Sequence, residues 1–211
     1  MKPEQDEVTL YHYWRSSSSW RVRCALEFKK IQARMIAVDL LNGENEAPDH
    51  AKRHPMGYVP VLDIAGHRLV QSVAILEFLD EYIPSPSLYP GNIYDRAQVR
   101  ALVEIINADT QPIQNLDVME RHSSDPEEKK KWNHYFIHRG LKAFEKLCST
   151  SAGKFSVGDH VCASDLLLIP QCYNALRFEV DLKDFPHISK IHSLCMTLLE
   201  FKNSSPERFQ P

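Results

Sequence analysis

The chain has 211 residues, 43% hydrophobic and 25% charged, enough for one large or two small domains with a buried core. A formal charge of −3 gives no electrostatic case for nucleic acid or an anionic membrane surface as partner. No apolar run approaches the roughly 20 residues needed to cross a bilayer, and Met1-Lys2-Pro3-Glu4-Gln5-Asp6-Glu7 is too polar and acidic for a signal peptide.

The first 82 residues mix strand and helix signals. A strand is expected near Leu10–Tyr13 and a helix near Trp20–Lys30. Between them lies Arg15-Ser16-Ser17-Ser18-Ser19-Trp20-Arg21-Val22-Arg23. Hydroxyls at a strand-to-helix junction sit where backbone N–H groups without helical acceptors and the positive end of the helix dipole collect. Such a junction stabilises an anion, a thiolate included, although a bare serine run also reads as a solvated turn.

A second strand near Ala33–Asp39 leads into an irregular segment that holds Asn45. Val61–Ile64 and His67–Val70 flank Ala65-Gly66 as a hairpin. Ser72 reads as the N-cap of a helix through Tyr82, with Ile75, Leu76 and Leu79 on one face. The order βαβ then ββα is that of a thioredoxin-like domain. Ile83-Pro84-Ser85-Pro86-Ser87 has linker composition, ending at Pro90-Gly91.

Beyond Tyr94 all the signals are helical. Helices are expected over Tyr94–Met119, bent or interrupted by Pro112, and over Glu127–Ser149, Ser164–Phe178 and Ile188–Lys202. The domains are therefore read as residues 1–84, thioredoxin-like, and 92–211, an all-helical bundle. On this reading Gln111 and Asn115 share a helix face. His134 and His138 have a metal-ligand spacing but no third ligand in a known motif, so they read as solvated or packed histidines and no metal is expected. Cys162, with Asp165 three residues on, reads as the cap of a capping box whose sulfur half is weak; Ser164 is the rival cap. Cys24, Cys148, Cys162, Cys172 and Cys195 form no Cys-x-x-Cys pair, which predicts reduced thiols in a cytoplasmic protein.

Ser16 to Leu26, in the form Ser-Ser-x-Ser-Trp-Arg-Val-Arg-x-Ala-Leu, resembles the N-terminal signature of the zeta-class glutathione transferases, the family that includes maleylacetoacetate isomerase. Met56-Gly57-Tyr58-Val59-Pro60-Val61-Leu62, Gln71 to Leu79, Gln111-Pro112-Ile113-Gln114-Asn115-Leu116, and Gly158-Asp159 through Leu166 extend the resemblance over nearly the whole chain. The family usually carries Cys where Ser18 stands, and Ser where Asp117 stands.

The resemblance implies the glutathione transferase fold and a homodimer. It also implies glutathione as a recycled cofactor, whose thiolate adds to a conjugated cis double bond, lets the resulting single bond rotate, and leaves again. Maleylacetoacetate would thereby become fumarylacetoacetate in phenylalanine and tyrosine breakdown. Ser16, Ser17 and Ser18 are the implied catalytic residues, with Ser17 the direct thiolate donor. Tyr13 is the rival, since other glutathione transferase classes use a tyrosine at the end of the first strand. A cis Val59–Pro60 bond would leave the Val59 backbone to pair with glutathione. Gln71 and Ser72 would hold its γ-glutamyl carboxylate, and Gln111 and Asn115 would reach towards it across a domain cleft. Asn45 stands near a family glutamine contact. Arg15 and Arg177 would receive the substrate's acidic groups, which planar guanidinium groups recognise well. The alternatives are a general glutathione transferase or peroxidase-like enzyme, and a non-catalytic binding protein on the same fold.

Overall fold

The computed structural model describes residues 8–211, so the expectation for Met1–Glu7 lies outside the described residues. The chain divides into two compact units. One holds the residues up to Leu88 together with Leu198–Pro211, and the other is Tyr89–Thr197. The last fourteen residues thus depart from the expected 92–211 domain and group with the first unit.

In the first unit, strands β1 (Thr9–His12), β2 (Arg34–Ala37), β3 (Val61–Ile64) and β4 (His67–Val70) form one sheet in the order β2-β1-β3-β4. β1 runs parallel to β2, with Leu10 opposite Met35, and antiparallel to β3, with Tyr11 opposite Val61. β3 and β4 form the expected hairpin. Ala65 and Gly66 take φ of 51° and 77°, and a two-residue turn with both central residues at positive φ matches the twist of the paired strands. This is the thioredoxin-like arrangement.

Helix α1 (Ser17–Lys29) begins three residues earlier than expected because Ser16 caps it, its Oγ accepting from Ser19 N–H at 3.1 Å. The irregular segment contains a 3-10 turn, Glu44–Glu46, and a short helix, α2 (Pro48–Ala51). α3 (Ser72–Tyr82) starts with Ser72 as its first residue. The cap position is Gln71, at φ 71°, which corrects the expectation that Ser72 would be the cap.

The second unit is helical: α4 (Ile93–Asn107), α5 (Leu116–His122), α6 (Pro126–Cys148), α7 (Ala163–Arg177) and α8 (Pro186–Cys195). Asn92 and Asp95 close a capping box on α4. The continuous helix expected over Tyr94–Met119 is broken. Gln111–Gln114 form a 3-10 turn with Pro112 in its first turn, and Asn115 is extended. Thr110, at this break, packs against Gly140 of α6 where any Cβ would collide with it. The expected Ile188–Lys202 helix also breaks, because Leu198 is extended and α9 (Leu199–Ser204) packs on α1 in the first unit. Neither Pro nor Gly marks that break.

α7 starts at Ala163 with Cys162 in the cap position, so Ser164 is not the cap. Asp165 Oδ2 accepts from Cys162 N–H at 2.9 Å, the reciprocal half of the box. The Cys162 thiol donates to the same oxygen at 3.2 Å. α7 also runs through Pro170, which supplies no N–H to the helix, with residues 163–172 all buried.

Candidate active site

The serine turn is built at the carboxyl end of β1. Ser16 N–H donates to Tyr13 O at 3.1 Å, and Tyr13 N–H to Ser19 Oγ at 3.4 Å, so the turn folds back on the strand that feeds it. Ser16 is committed as the helix cap. Ser17 is buried and Ser18 half-buried in the first turn of α1, which carries no acidic side chain. A positive helix end without local carboxylates favours an anion.

Tyr13 goes elsewhere. Its ring packs in an apolar cluster with Val38 and Val59, against Tyr11, Trp14 and Leu40. Its hydroxyl is buried without a hydrogen-bond partner among the described residues. That packing brings Val59 beside the serine turn.

Val59–Pro60 is cis, as expected; Ser85–Pro86 is a second cis bond that was not anticipated. The backbone just before Val59 is held by two side chains of the irregular segment. His50 Nε2 bonds Tyr58 O at 2.9 Å, and Asn45 Nδ2 donates to Gly57 O at 3.1 Å. Asn45 therefore serves the loop. His50 is buried, and the sequence reading missed it because the segment shows no regular pattern.

Ser72 is 4% exposed, and its Oγ accepts from Arg21 Nη1 at 3.0 Å. A hydroxyl that accepts from a guanidinium, which can only donate, keeps its own hydrogen available to donate. Gln71 stands at φ 71°, ψ 113°, a conformation costing a non-glycine residue about 1–3 kcal/mol and concentrated at ligand sites. The first unit thus joins three of the expected elements: the serine turn meets Val59 through Tyr13 and Trp14, and α1 meets Ser72 through Arg21. These groups fit glutathione, a peptide with a thiol and carboxylates.

Arg21, Arg23 and Lys29 were part of the recognised stretch or its helix, yet their burial was not foreseen. All three are at most 2% exposed. Cations spaced by two and six residues look like a solvated face in sequence, and only their partners reveal otherwise.

In the second unit, Gln111 Nε2 donates to Asn115 Oδ1 at 2.8 Å. The two side chains do meet, through the 3-10 turn rather than along an α-helical face. Gln114, between them, is buried and exchanges amide hydrogen bonds with Gln171 at 3.2 and 3.3 Å; it also accepts from Asn174 at 3.3 Å. Arg177 is exposed, donates to Asn174 Oδ1 at 3.4 Å, and lies over the Phe178 ring. Arg15 is half-buried over Trp14 in the first unit. His134 Nδ1 bonds Phe178 O at 3.0 Å, and its ring stacks on His138. Among the described residues no group of three metal-ligating side chains occurs.

The chain's own thiols are poorly set for nucleophilic work. All five cysteines are buried and free. Burial is the first cause that pushes the Cys24, Cys162 and Cys172 thiols far up, and it takes Cys148 to about 12. A thiolate acting here would come with a bound cofactor.

Residues 6–81 match the family model "Glutathione S-transferase, N-terminal domain". The maleylacetoacetate isomerase of Dictyostelium discoideum is 41% identical over 208 residues, covering 96% of this chain and 95% of that protein. The mouse (Mus musculus) maleylacetoacetate isomerase is 40% identical, covering 94% and 92%. Among solved structures, a bacterial zeta-class maleylpyruvate isomerase in its holo form superposes with a TM-score of 0.91 at 34% identity, covering 94% and 96%. A maleylacetoacetate isomerase from Anaeromyxobacter dehalogenans 2CP-1, solved with glutathione in its active site, gives 0.87 at 44% identity, covering 97% and 98%. With its serine turn, its Val59–Pro60 loop and its Gln71-Ser72 helix start, and with such identity over nearly its full length, the chain belongs to the glutathione transferases, in the zeta class with the maleylacetoacetate isomerases.

Proposed function

We propose that the chain is a glutathione-dependent cis–trans isomerase that converts maleylacetoacetate to fumarylacetoacetate in phenylalanine and tyrosine breakdown. The observation that carries the proposal is the gathering of the serine turn, Val59 and Ser72 in one unit, in a chain 41% identical to a maleylacetoacetate isomerase over 96% of its length.

Bound glutathione supplies the thiolate that adds to and leaves the double bond. The residues do the rest. Ser17, in the first turn of α1, donates to the sulfur and favours its anion at neutral pH, against a reference thiol pKa near 8.5. Ser16 holds the turn as cap, and Ser18 lines it. The Val59 backbone pairs with the glutathione peptide, Gln71 and Ser72 hold its γ-glutamyl carboxylate, and Gln111 and Asn115 add polar contacts to it. Arg15 and Arg177 receive the acidic groups of the substrate. The first domain is the glutathione-binding one, and the helical domain carries much of the substrate site. The protein acts in the cytoplasm as a homodimer; sedimentation as a stable 24.3 kDa species at micromolar concentration would refute the dimer.

The deciding experiment is turnover of maleylacetoacetate with glutathione, with S-methylglutathione, and with neither. Turnover is expected only with free glutathione. Conjugation of a chloronitrobenzene without isomerisation would make the protein a general transferase. Failure both to isomerise and to conjugate, or failure to be retained on immobilised glutathione, would make it a non-catalytic relative. A parallel arm with maleylpyruvate ranks the two cis diacids.

A further inference from the structure

Arg23 is 1% exposed near the middle of α1, and all three nitrogens of its guanidinium are hydrogen-bonded. Nη2 donates to Trp14 O at 3.0 Å and Nη1 to Tyr13 O at 3.3 Å, the two carbonyls leading into the serine turn. Nη1 also meets His12 Nδ1 at 3.2 Å. Nε donates to Ser204 O at 2.8 Å, at the end of α9. The Phe209 ring lies 4.6 Å from the guanidinium and meets the His12 ring edge-on at 5.2 Å. Trp20 Nε1 donates to Ser204 Oγ at 3.0 Å, a second tie between α1 and the same C-terminal residue.

Arginine only donates, so His12 Nδ1 is the acceptor and the ring proton sits on Nε2. The ionisable groups around Arg23 are His12 from β1, Cys24 from α1 and Glu207 from the C-terminal segment. Burial, then the Arg23 charge, takes His12 down to about 4, so it stays neutral beside the cation. Burial lowers Arg23 to about 9, where it still carries its charge at neutral pH. A buried charge is costly unless its geometry is well satisfied. Here the return is directional. Tyr13 O accepts from both Arg23 and Ser16 N–H, and Ser16 in turn caps α1 through Ser19.

We infer that Arg23, seated by the C-terminal segment Ser204–Phe209, is a positioning residue that sets the serine turn for thiolate stabilisation. The end of the chain thereby helps complete the active site it does not touch. Removing the seat lets the Tyr13 and Trp14 carbonyls shift, and the serine hydroxyl loses alignment with the sulfur. Hydrogen bonds weaken steeply with angle.

This inference rests on the serine turn being the thiolate site, so Ser17→Ala is measured alongside. The variants are Phe209→Ala, at a half-buried ring against Arg23 and His12, and Arg23→Lys, which keeps charge but loses the fork. The readouts are thiolate absorbance of enzyme-bound glutathione against pH, and kcat and KM for the isomerisation. We expect the bound thiol pKa to rise by about 0.5–1 unit in both variants, part of what a charged hydrogen bond is worth. kcat near pH 6.5 should fall about threefold to tenfold, while KM for glutathione is unchanged. If Ser17→Ala raises the thiol pKa and both variants leave it and kcat unchanged, with only thermal stability reduced, the strap is structural and the inference fails while the site reading stands. A rise in KM without any pKa change overturns it likewise. If Ser17→Ala itself leaves the thiol pKa unmoved, the site reading falls and the inference with it. Should Arg23→Lys fail to fold, Phe209→Ala decides alone.

Discussion

Helices α1 and α7 are both buried over most of their length, yet by opposite means. α7 buries Leu166, Leu167, Leu168, Ile169 and Cys172, with Asp165 its single buried acidic side chain. α1 buries Trp20, Val22, Ala25 and Leu26, but also Arg21, Arg23 and Lys29. Burial on all sides removes the one-faced periodicity from each. The difference lies in what they hold. α7 packs other helices, for which apolar side chains suffice. α1 also fixes backbone outside itself, the carbonyls of residues 13, 14, 83 and 86 and that of Ser204 at the end of α9, and N–H donors on long stems do this.

Four measurements can break or sharpen this contrast. The largest effect is expected from Lys29, which is 2% exposed. Its Nζ bonds Asp80 and Ile83 O at 2.7 Å each, and Pro86 O. Lys29→Met should cost about 3–5 kcal/mol in denaturant unfolding, since one partner of a buried pair is left behind. Asp80→Leu added to it should recover only part, because Asp80 also receives Leu88 N–H and Ser87 Oγ. A loss below 1 kcal/mol would mean the cation is dispensable and α1 is an ordinary core helix.

His12 comes next. Its folded pKa of about 4 lies below the ordinary histidine value of 6.5, so the unfolded chain takes up the proton first on acidification. Stability should therefore be fully present above pH 6.5 and fall as the pH drops to about 4. The slope approaches 1.4 kcal/mol per unit, about 3 kcal/mol in all. His12→Asn should flatten this part of the unfolding-midpoint profile, and an unchanged slope would assign it to other groups.

For the serine turn, Ser17→Ala should lower kcat/KM by about one to two decades, the loss of a hydrogen bond to a charged group worth about 1.5–3 kcal/mol. Tyr13→Phe should leave activity nearly unchanged and raise stability slightly, because the buried hydroxyl lacks a partner among the described residues. The reverse pattern would transfer thiol activation to Tyr13. In α7, Cys162→Ser should raise the unfolding midpoint at unchanged m-value, by about 0.5–1 kcal/mol. The hydroxyl is a better cap acceptor than sulfur and keeps a donor towards Asp165. A midpoint that stays or falls would show that the larger sulfur is needed to fill the space beside Ser156 and Ser164.

Much of the site was legible because its pieces are local. The β3–β4 hairpin turns on two adjacent residues, and α3 spans the expected Ser72–Tyr82. The serine turn, the Val59–Pro60 bond and the Gln71-Ser72 helix start were all recognisable within short stretches of chain. Pro112 announced an interruption, although its form as a 3-10 turn and an extended Asn115 did not follow from the proline alone. Asn45 stands near a family glutamine contact by resemblance, and its Nδ2 donates to Gly57 O, a bond across 12 residues that no local pattern encodes.

The sequence by itself determined the element types, the thioredoxin-like order, the change to helices after the proline-rich linker and the family, because propensity, turn chemistry and motif are properties of neighbouring residues. Only the tertiary structure decided that three cations of α1 face inward, that the helix expected to reach Lys202 stops at Cys195, and that the last fourteen residues return to the first unit. Those outcomes depend on partners far away in the chain. A buried charge is costly unless acceptors meet it, and the Ser204 carbonyl lies 181 residues from the Arg23 that it meets.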